Sequence, residues 1–263
     1  METLQRAGVR LAYEQTGVGE PTLLFGHGWC CDHTFLAPQV AHFRQRHRCL
    51  AVDLRGHGAS DRPVQDYSIG VFADDLAWLC DALGIGRAVV VGHSMGGIVG
   101  VELAARRPDL AAAVVALDAP ILPVPRATES ALRIAAAFRG PNYRAAQREY
   151  VSRYLFLPTD DPERKARVLE VMGRAPQHVL ASAFEGMFTW DGQTALAACK
   201  APLLLISAAR PAADLARIRA LCPQVVHGQT VGAGHFHQLE VPEQVNPMIA
   251  RFLAITPLGP AAR

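Results

Sequence analysis

The stretch that most constrains this 263-residue chain is Val89-Val90-Val91-Gly92-His93-Ser94-Met95-Gly96-Gly97. A β-branched run, with Ala88 before it, leads into the pattern Gly-x-Ser-x-Gly, and Ile98 to Ala105 follow with helical composition. The pattern predicts a strand that reverses into a helix through a sharp turn with serine at its tip. Such a turn strains the serine backbone and lifts its hydroxyl clear of the sheet, while small residues at 92 and 96 let strand and helix approach closely. The plain alternative is a glycine-rich turn that happens to hold a serine. The strand–helix setting is what singles out Ser94 as a candidate nucleophile.

The flanking sequence reads as a scaffold of alternating strands and helices. Gly8 to Glu14 alternate apolar and polar residues with period two, as an outer strand does. Thr22 to Phe25, Cys49 to Val52, Ala113 to Leu117 and Pro202 to Ser207 are continuously apolar, as strands buried on both faces should be. Helices are predicted over Phe35–Arg46, with Leu36, Val40 and Phe43 on one face, and from an N-cap at Ser68 to Leu83. Further helices are predicted around Leu215, Ile218 and Leu221 and over Val245–Leu253, with a last strand at Val225-Val226. Strands alternating with helices predict an α/β fold: a mostly parallel central sheet flanked by helices.

After Asp118 the character changes. Prolines at 120, 123 and 125 form a stiff exit, and from about Thr128 to Trp190 the patterns are helical with little strand signal. That is too long for an ordinary crossover and reads as an inserted helical cap. The expected division is 1–119 as the first part of the core, 120–190 as the cap and 191–263 as the second part of the core.

Composition narrows the function classes. No apolar run approaches the roughly 18 residues that span a bilayer, and Met1 to Arg6 lack the layout of a signal peptide. A cytoplasmic protein without a membrane partner is expected. The net charge of +2 is spread without a basic block, so nucleic acid is not implied. The six cysteines (Cys30, Cys31, Cys49, Cys80, Cys199, Cys222) form no Cys-x-x-Cys pair and no His/Cys cluster at zinc spacing. Reduced thiols are expected, with no metal and no cofactor. Oligomeric state is left open.

Four motifs occur in order: His27-Gly28-Trp29, Arg55-Gly56-His57-Gly58-x-Ser60-Asp61, Gly92-His93-Ser94-Met95-Gly96-Gly97, and Gly234-His235 with Pro242-Glu243 behind it. Together they resemble the α/β-hydrolase family over nearly the whole chain, the cap being the loosest part. The chemistry can also be argued from the residues. A serine hydroxyl is a weak nucleophile until a base takes its proton, and imidazole titrates near neutrality. Of ten histidines, His235 follows Val-Gly-Ala-Gly after the last strand and can reach the tip of the sheet. His93 is read as structural, its side chain pointing away from the turn; His27 as a brace for its loop; His57 as supporting or structural. His33 and His237 could wall the site. The oxyanion donors expected are the backbone N–H groups of Met95 and Trp29.

The acid departs from the commonest family pattern. The resemblance places it after the strand Leu203–Ile206, but that loop reads Ser207-Ala208-Ala209-Arg210-Pro211, without a carboxylate. Asp118, at the strand end where some members keep their acid, is preferred over Asp214. Substrate contacts are expected from Trp29, Cys30, His33, Phe184, Met187, Phe188, Trp190 and Phe236, lining a site for a small hydrophobic molecule.

The reading that follows is a serine hydrolase acting on a hydrophobic carboxylic ester or lactone through an acyl-enzyme, with Ser94, His235 and Asp118 as its triad. Two alternatives share the scaffold. Gly28-Trp29-Cys30-x-Asp32-His33 with an acid at 118 also resembles cofactor-independent dioxygenases that cleave N-heteroaromatic rings; Cys31 and Met95 stand where that group usually has histidine. A ligand-binding receptor on a hydrolase scaffold is the third.

Overall fold

The structure, a computed structural model, describes residues 1–258, the side chains of residues 125–127 excepted, so the last residues of the 191–263 stretch lie outside it. Its strands are β1 (Glu2–Arg6), β2 (Val9–Thr16), β3 (Thr22–Gly26), β4 (Cys49–Asp53), β5 (Ala88–His93), β6 (Ala111–Leu117), β7 (Leu203–Ser207) and β8 (Val225–Gln229). They form a single sheet in the order β1-β2-β4-β3-β5-β6-β7-β8. The pairs β1–β2 and β2–β4 are antiparallel, and every pair from β4 through β8 is parallel. β1 is an addition to the sequence reading: its residues are mostly exposed, so the edge strand carries no buried run to reveal it.

The helices are α1 (Ala37–Phe43), α2 (Ile69–Ala82), α3 (Met95–Arg106), α4 (Pro125–Phe138), α5 (Tyr143–Tyr154), α6 (Pro162–Met172), α7 (Gln177–Thr189), α8 (Gly192–Ala198), α9 (Leu215–Leu221), α10 (His237–Glu240) and α11 (Pro242–Ile255). The helix predicted over 35–46 is broken into a 3₁₀ turn, His33–Leu36, and the shorter α1. Pro38 in the first turn of α1 accounts for the restart, since its missing N–H is harmless there. Ser68 caps α2 as predicted, its hydroxyl accepting the Val71 N–H. α8 carried no clear sequence signal, being short and made largely of alanine, glycine and polar residues.

Period two along the buried strands divides the core between the two sheet faces. Leu24, Leu50, Val52 and Val90 pack toward Ile98 and Val99 of α3 and toward α2, whereas Leu23, Phe25, Val89, Val91 and Val115 pack toward Phe43 of α1 and Phe252 of α11. Toward β7, Val114, Ala116 and Leu203 meet Val101 of α3, Leu196 of α8 and Ile218 of α9. Helices α4 to α7 lie between β6 and α8 in sequence, and their apolar faces join the cluster that holds Trp29 and Met95. The order of strands reverses at β3, which has β4 on one side and β5 on the other. Ligands of open α/β sheets gather at the carboxyl ends of strands beside such a reversal. No helix among the described residues is long and apolar enough to cross a membrane.

Candidate active site

Three strand ends converge on one cavity. β5 delivers Ser94 with φ 53° and ψ −116°, a conformation a non-glycine residue holds only under constraint. The constraint is visible: Ser94 N–H donates to the Leu117 carbonyl at 2.9 Å, and α3 begins at once behind it. Glycine at 92 and 96 is required by contact. A Cβ on Gly92 would run into the Gly96 backbone, and one on Gly96 into the Gly26 carbonyl at the end of β3. The β3 exit loop thus lies against the turn; a Cβ on Gly28 would sit 3.3 Å from that of Ser94. Among the described residues, the backbone N–H groups of Trp29 and Met95, which flank this junction, have no protein partner.

β6 delivers Asp118, also at positive φ (42°) and 3% exposed. Its Oδ2 accepts from His235 Nδ1 at 2.7 Å and its Oδ1 from the Ala208 N–H at 3.0 Å. The loop after β7 thus supplies a hydrogen-bond donor to this carboxylate. Burial by itself pushes the Asp118 carboxyl up, but the hydrogen bond and charge of His235, with the Ala208 N–H, outweigh it and hold the group below its ordinary range. Asp214 is otherwise engaged: it caps α9, accepting the Arg217 N–H at 3.2 Å.

His235 is held at three points. Its ring meets Asp118, its N–H donates to the Leu155 carbonyl at 3.0 Å, and its carbonyl accepts from His93 Nε2 at 2.9 Å. The tautomer follows, since Nδ1–H donates to the carboxylate and Nε2 is left as the basic nitrogen. Among the described residues neither Ser94 Oγ nor His235 Nε2 has a hydrogen-bond partner, although both residues line the same cavity. Contacts of this kind commonly tighten only when substrate is bound.

The remaining histidines separate into braces and bystanders. His93 is fully buried beside His235, ring centroids 4.7 Å apart, and burial and then the charge of His235 push it well below the ordinary imidazole range. It is neutral, and it positions the His235 backbone. His27 Nε2 accepts the Leu54 N–H while Nδ1 donates to the Gly28 carbonyl, so it ties the β3 and β4 exits together. His57 contacts its own loop at the Arg55 carbonyl, and burial lowers it to about 3. His237, bonded to Thr230 Oγ1, is likewise lowered by burial, to about 4.

The cavity is about 550 Å³, within the range of small-molecule sites. Of the expected contact residues, Trp29, Phe184, Met187, Phe188 and Phe236 line it, whereas Cys30, His33 and Trp190 do not. His33 turns instead to Asp53, with Nδ1 2.8 Å from Oδ1, and Trp190 donates its indole N–H to Glu102 at 2.8 Å. Cys30 is buried at positive φ, and the adjacent Cys31 faces the cavity in its place. Burial pushes both thiols well above the ordinary range, which leaves them inert. Trp29 stacks on Phe138 (5.4 Å, 19°) and meets Phe184 at a tilt (4.9 Å, 57°), and its indole N–H reaches the Leu180 carbonyl in α7 at 2.8 Å. Tyr150, Tyr154, Leu155, Phe156 and Arg210 also line the wall. The sequence does not single them out: helical periodicity marks Tyr150 and Tyr154 as inward-facing without saying what they face, and Leu155, Phe156 and Arg210 follow the ends of α5 and β7, where no periodicity applies. Among the described residues no cluster of His, Cys, Asp or Glu could hold a metal ion.

A sequence model of the alpha/beta hydrolase fold matches residues 21–242. A thermophilic esterase from Thermogutta terrifontis superposes with a TM-score of 0.83 at 30% identity, over 96% of each chain. The enol-lactonase from Burkholderia xenovorans superposes with a TM-score of 0.87 at 26% identity, over 96% of this chain and all of that one (100%). The 2-(acetamidomethylene)succinate hydrolase of Mesorhizobium japonicum is 40% identical over 110 residues, which span 42% of this chain and 39% of that protein.

Proposed function

Because the chain belongs to the α/β-hydrolase fold family, we propose that it is a serine hydrolase cleaving a hydrophobic carboxylic ester or lactone through an acyl-enzyme. The observation that carries this reading is the 2.7 Å contact between His235 Nδ1 and the buried Asp118 carboxylate, on the wall of the cavity that also holds Ser94. Similarity to an esterase and an enol-lactonase over almost the whole chain supports the reaction class.

In this mechanism His235 Nε2 takes the Ser94 proton as Oγ attacks the substrate carbonyl, and Asp118 stabilises the imidazolium that forms. The oxyanion is received by the unpartnered N–H groups of Met95, at the first turn of α3, and Trp29. His235 then protonates the leaving oxygen and, in the second half, deprotonates water. The aromatic wall of Trp29, Phe184 and Phe236 accepts the apolar part of the substrate. Residues 120–190 act as the cap, tied to the core at the Trp29–Leu180 and His235–Leu155 contacts.

A fluorophosphonate probe should label Ser94, and 4-nitrophenyl esters of graded chain length should be hydrolysed with a loss of activity in Ser94→Ala. Absence of both labelling and ester turnover would sink the proposal. Oxygen consumption that survives Ser94→Ala would point to the ring-cleaving alternative.

A further inference from the structure

The cavity wall holds one charged group that hydrolysis leaves unused. Arg210 lines it, the one Lys or Arg among the described lining residues. It stands in the loop after β7, whose backbone is pinned on both sides. Ala208 N–H goes to Asp118 (3.0 Å), Ala209 N–H to the Ala233 carbonyl (3.1 Å), and the Ala208 carbonyl accepts from Gln229 Nε2 (3.1 Å). Pro211 follows and fixes its own φ.

No partner for this guanidinium occurs among the described residues. By contrast, Arg55 and Arg6 share Asp75, Arg107 pairs with Asp81 and Asp109, and Arg164 pairs with Glu240. Asp118, the single carboxylate on the described wall, is committed to His235 and Ala208. Asp160, beside Gly234, is committed to the Leu157 and Gly234 N–H groups. Arg210 is also exposed while it lines the cavity, which puts it at the mouth, with the aromatic wall deeper in. A ligand lying with its ester at Ser94 therefore meets apolar rings along its length and an unspent cation at its outer end. A planar fork of N–H donors matches a carboxylate.

We propose that Arg210 is a specificity-determining residue that binds a carboxylate carried by the substrate, so that the substrate class is an anionic ester or lactone with an apolar middle. This rests on the hydrolytic reading above. The ion pair would form at a wet mouth, so its contribution falls at the low end for charge-assisted bonds, roughly a tenfold preference.

The test compares two isosteric pairs: mono-(4-nitrophenyl) glutarate against 4-nitrophenyl 5-amino-5-oxopentanoate for the acyl side, and 4-carboxyphenyl acetate against 4-carbamoylphenyl acetate for the alcohol side. The wild-type protein should favour the anionic member of one pair in kcat/KM, with the preference shrinking as salt is raised. Arg210→Gln should cut that ratio about tenfold, and Arg210→Lys should restore part of it. Absence of an anionic preference in both pairs, or an equal fall for anionic and neutral esters in Arg210→Gln, would overturn the proposal. Calorimetric binding of phenylacetate against phenylacetamide to the Ser94→Ala protein separates the two readings. Carboxylate preference lost on adding Arg210→Gln, with no ester cleaved by the wild type, would overturn hydrolysis and leave the anion site standing. No carboxylate preference there would overturn the anion site.

Discussion

Asp118→Asn is the substitution that bears hardest on the proposed chemistry. The side chain keeps its shape, so the change is confined to one oxygen becoming NH₂. In the native protein both carboxylate oxygens are acceptors, one for Ala208 N–H at 3.0 Å and one for His235 Nδ1–H at 2.7 Å. An amide has a single oxygen and can serve only one of them. If the oxygen stays with Ala208, the NH₂ faces Nδ1 and drives the proton to Nε2, the nitrogen that has to accept the Ser94 proton. If the amide flips, its NH₂ opposes the Ala208 N–H, and a buried donor is left unpaired at about 1–3 kcal/mol. The first arrangement costs less, so the wrong tautomer dominates and kcat should fall about 10³–10⁴-fold, equivalent to roughly 4–5 kcal/mol of barrier. The assay is 4-nitrophenyl ester hydrolysis, with thermal unfolding run alongside to show that the variant is folded. Asp214→Asn is the comparison: asparagine caps helices about as well as aspartate, so activity and stability should both survive. Activity within tenfold of wild type in Asp118→Asn, or a collapse in Asp214→Asn instead, would refute the argument.

Other consequences can be measured directly. His57 and His237, lowered by burial to about 3 and about 4, stay neutral in the fold while the unfolded chain protonates near 6.5. Stability should therefore fall as pH drops from 6.5 toward those values, on the order of 2 kcal/mol per residue at pH 5. His33, raised chiefly by its hydrogen bond to Asp53, works in the opposite sense, its contribution being present below 6.5 and lost as pH rises through its folded value. Urea midpoints that do not change between pH 7 and 5 would contradict this balance. Gly96→Ala should lose about 3 kcal/mol or more, or fail to fold, because its Cβ would enter the Gly26 carbonyl. Gly84→Ala, where a Cβ meets open space at φ +65°, should cost only about 1–2 kcal/mol of left-handed strain; similar thermal shifts for the two would refute the packing argument. Trp29→Phe keeps the ring stack but removes the indole bond to Leu180, so Tm should drop by about 2–4 °C. An unaltered Tm would show that the bond adds nothing net.

Legibility in the sequence followed from how each residue is constrained. β3, β4, β5, β6 and β7 were readable because burial on both faces forces an unbroken apolar run. β1 was not, since an exposed edge strand needs no such run. The strand–serine–helix turn was readable because its glycines answer to backbone contacts within a few residues of one another. Cys30, His33 and Trp190 stand off the cavity lining for a different reason: neither proximity to a motif nor a place in an aromatic-rich segment sets the direction of a side chain. Positive φ at Cys30 and the Asp53 partner of His33 turn both away from the cavity.

Local rules thus carried the parallel sheet, the constrained serine and a short list of acids and bases. Which acid meets His235, and what waits at the cavity mouth, are matters of long-range geometry. Asp118 and His235 are brought together across 117 positions of chain, and His235 is set by partners at Leu155 and His93 that lie on other elements. Arg210 lines the cavity because β7 lies beside β6 in the sheet. Hydrophobic periodicity encodes how much of a residue is buried and on which face; the identity of the neighbour depends on where the other strands and helices end.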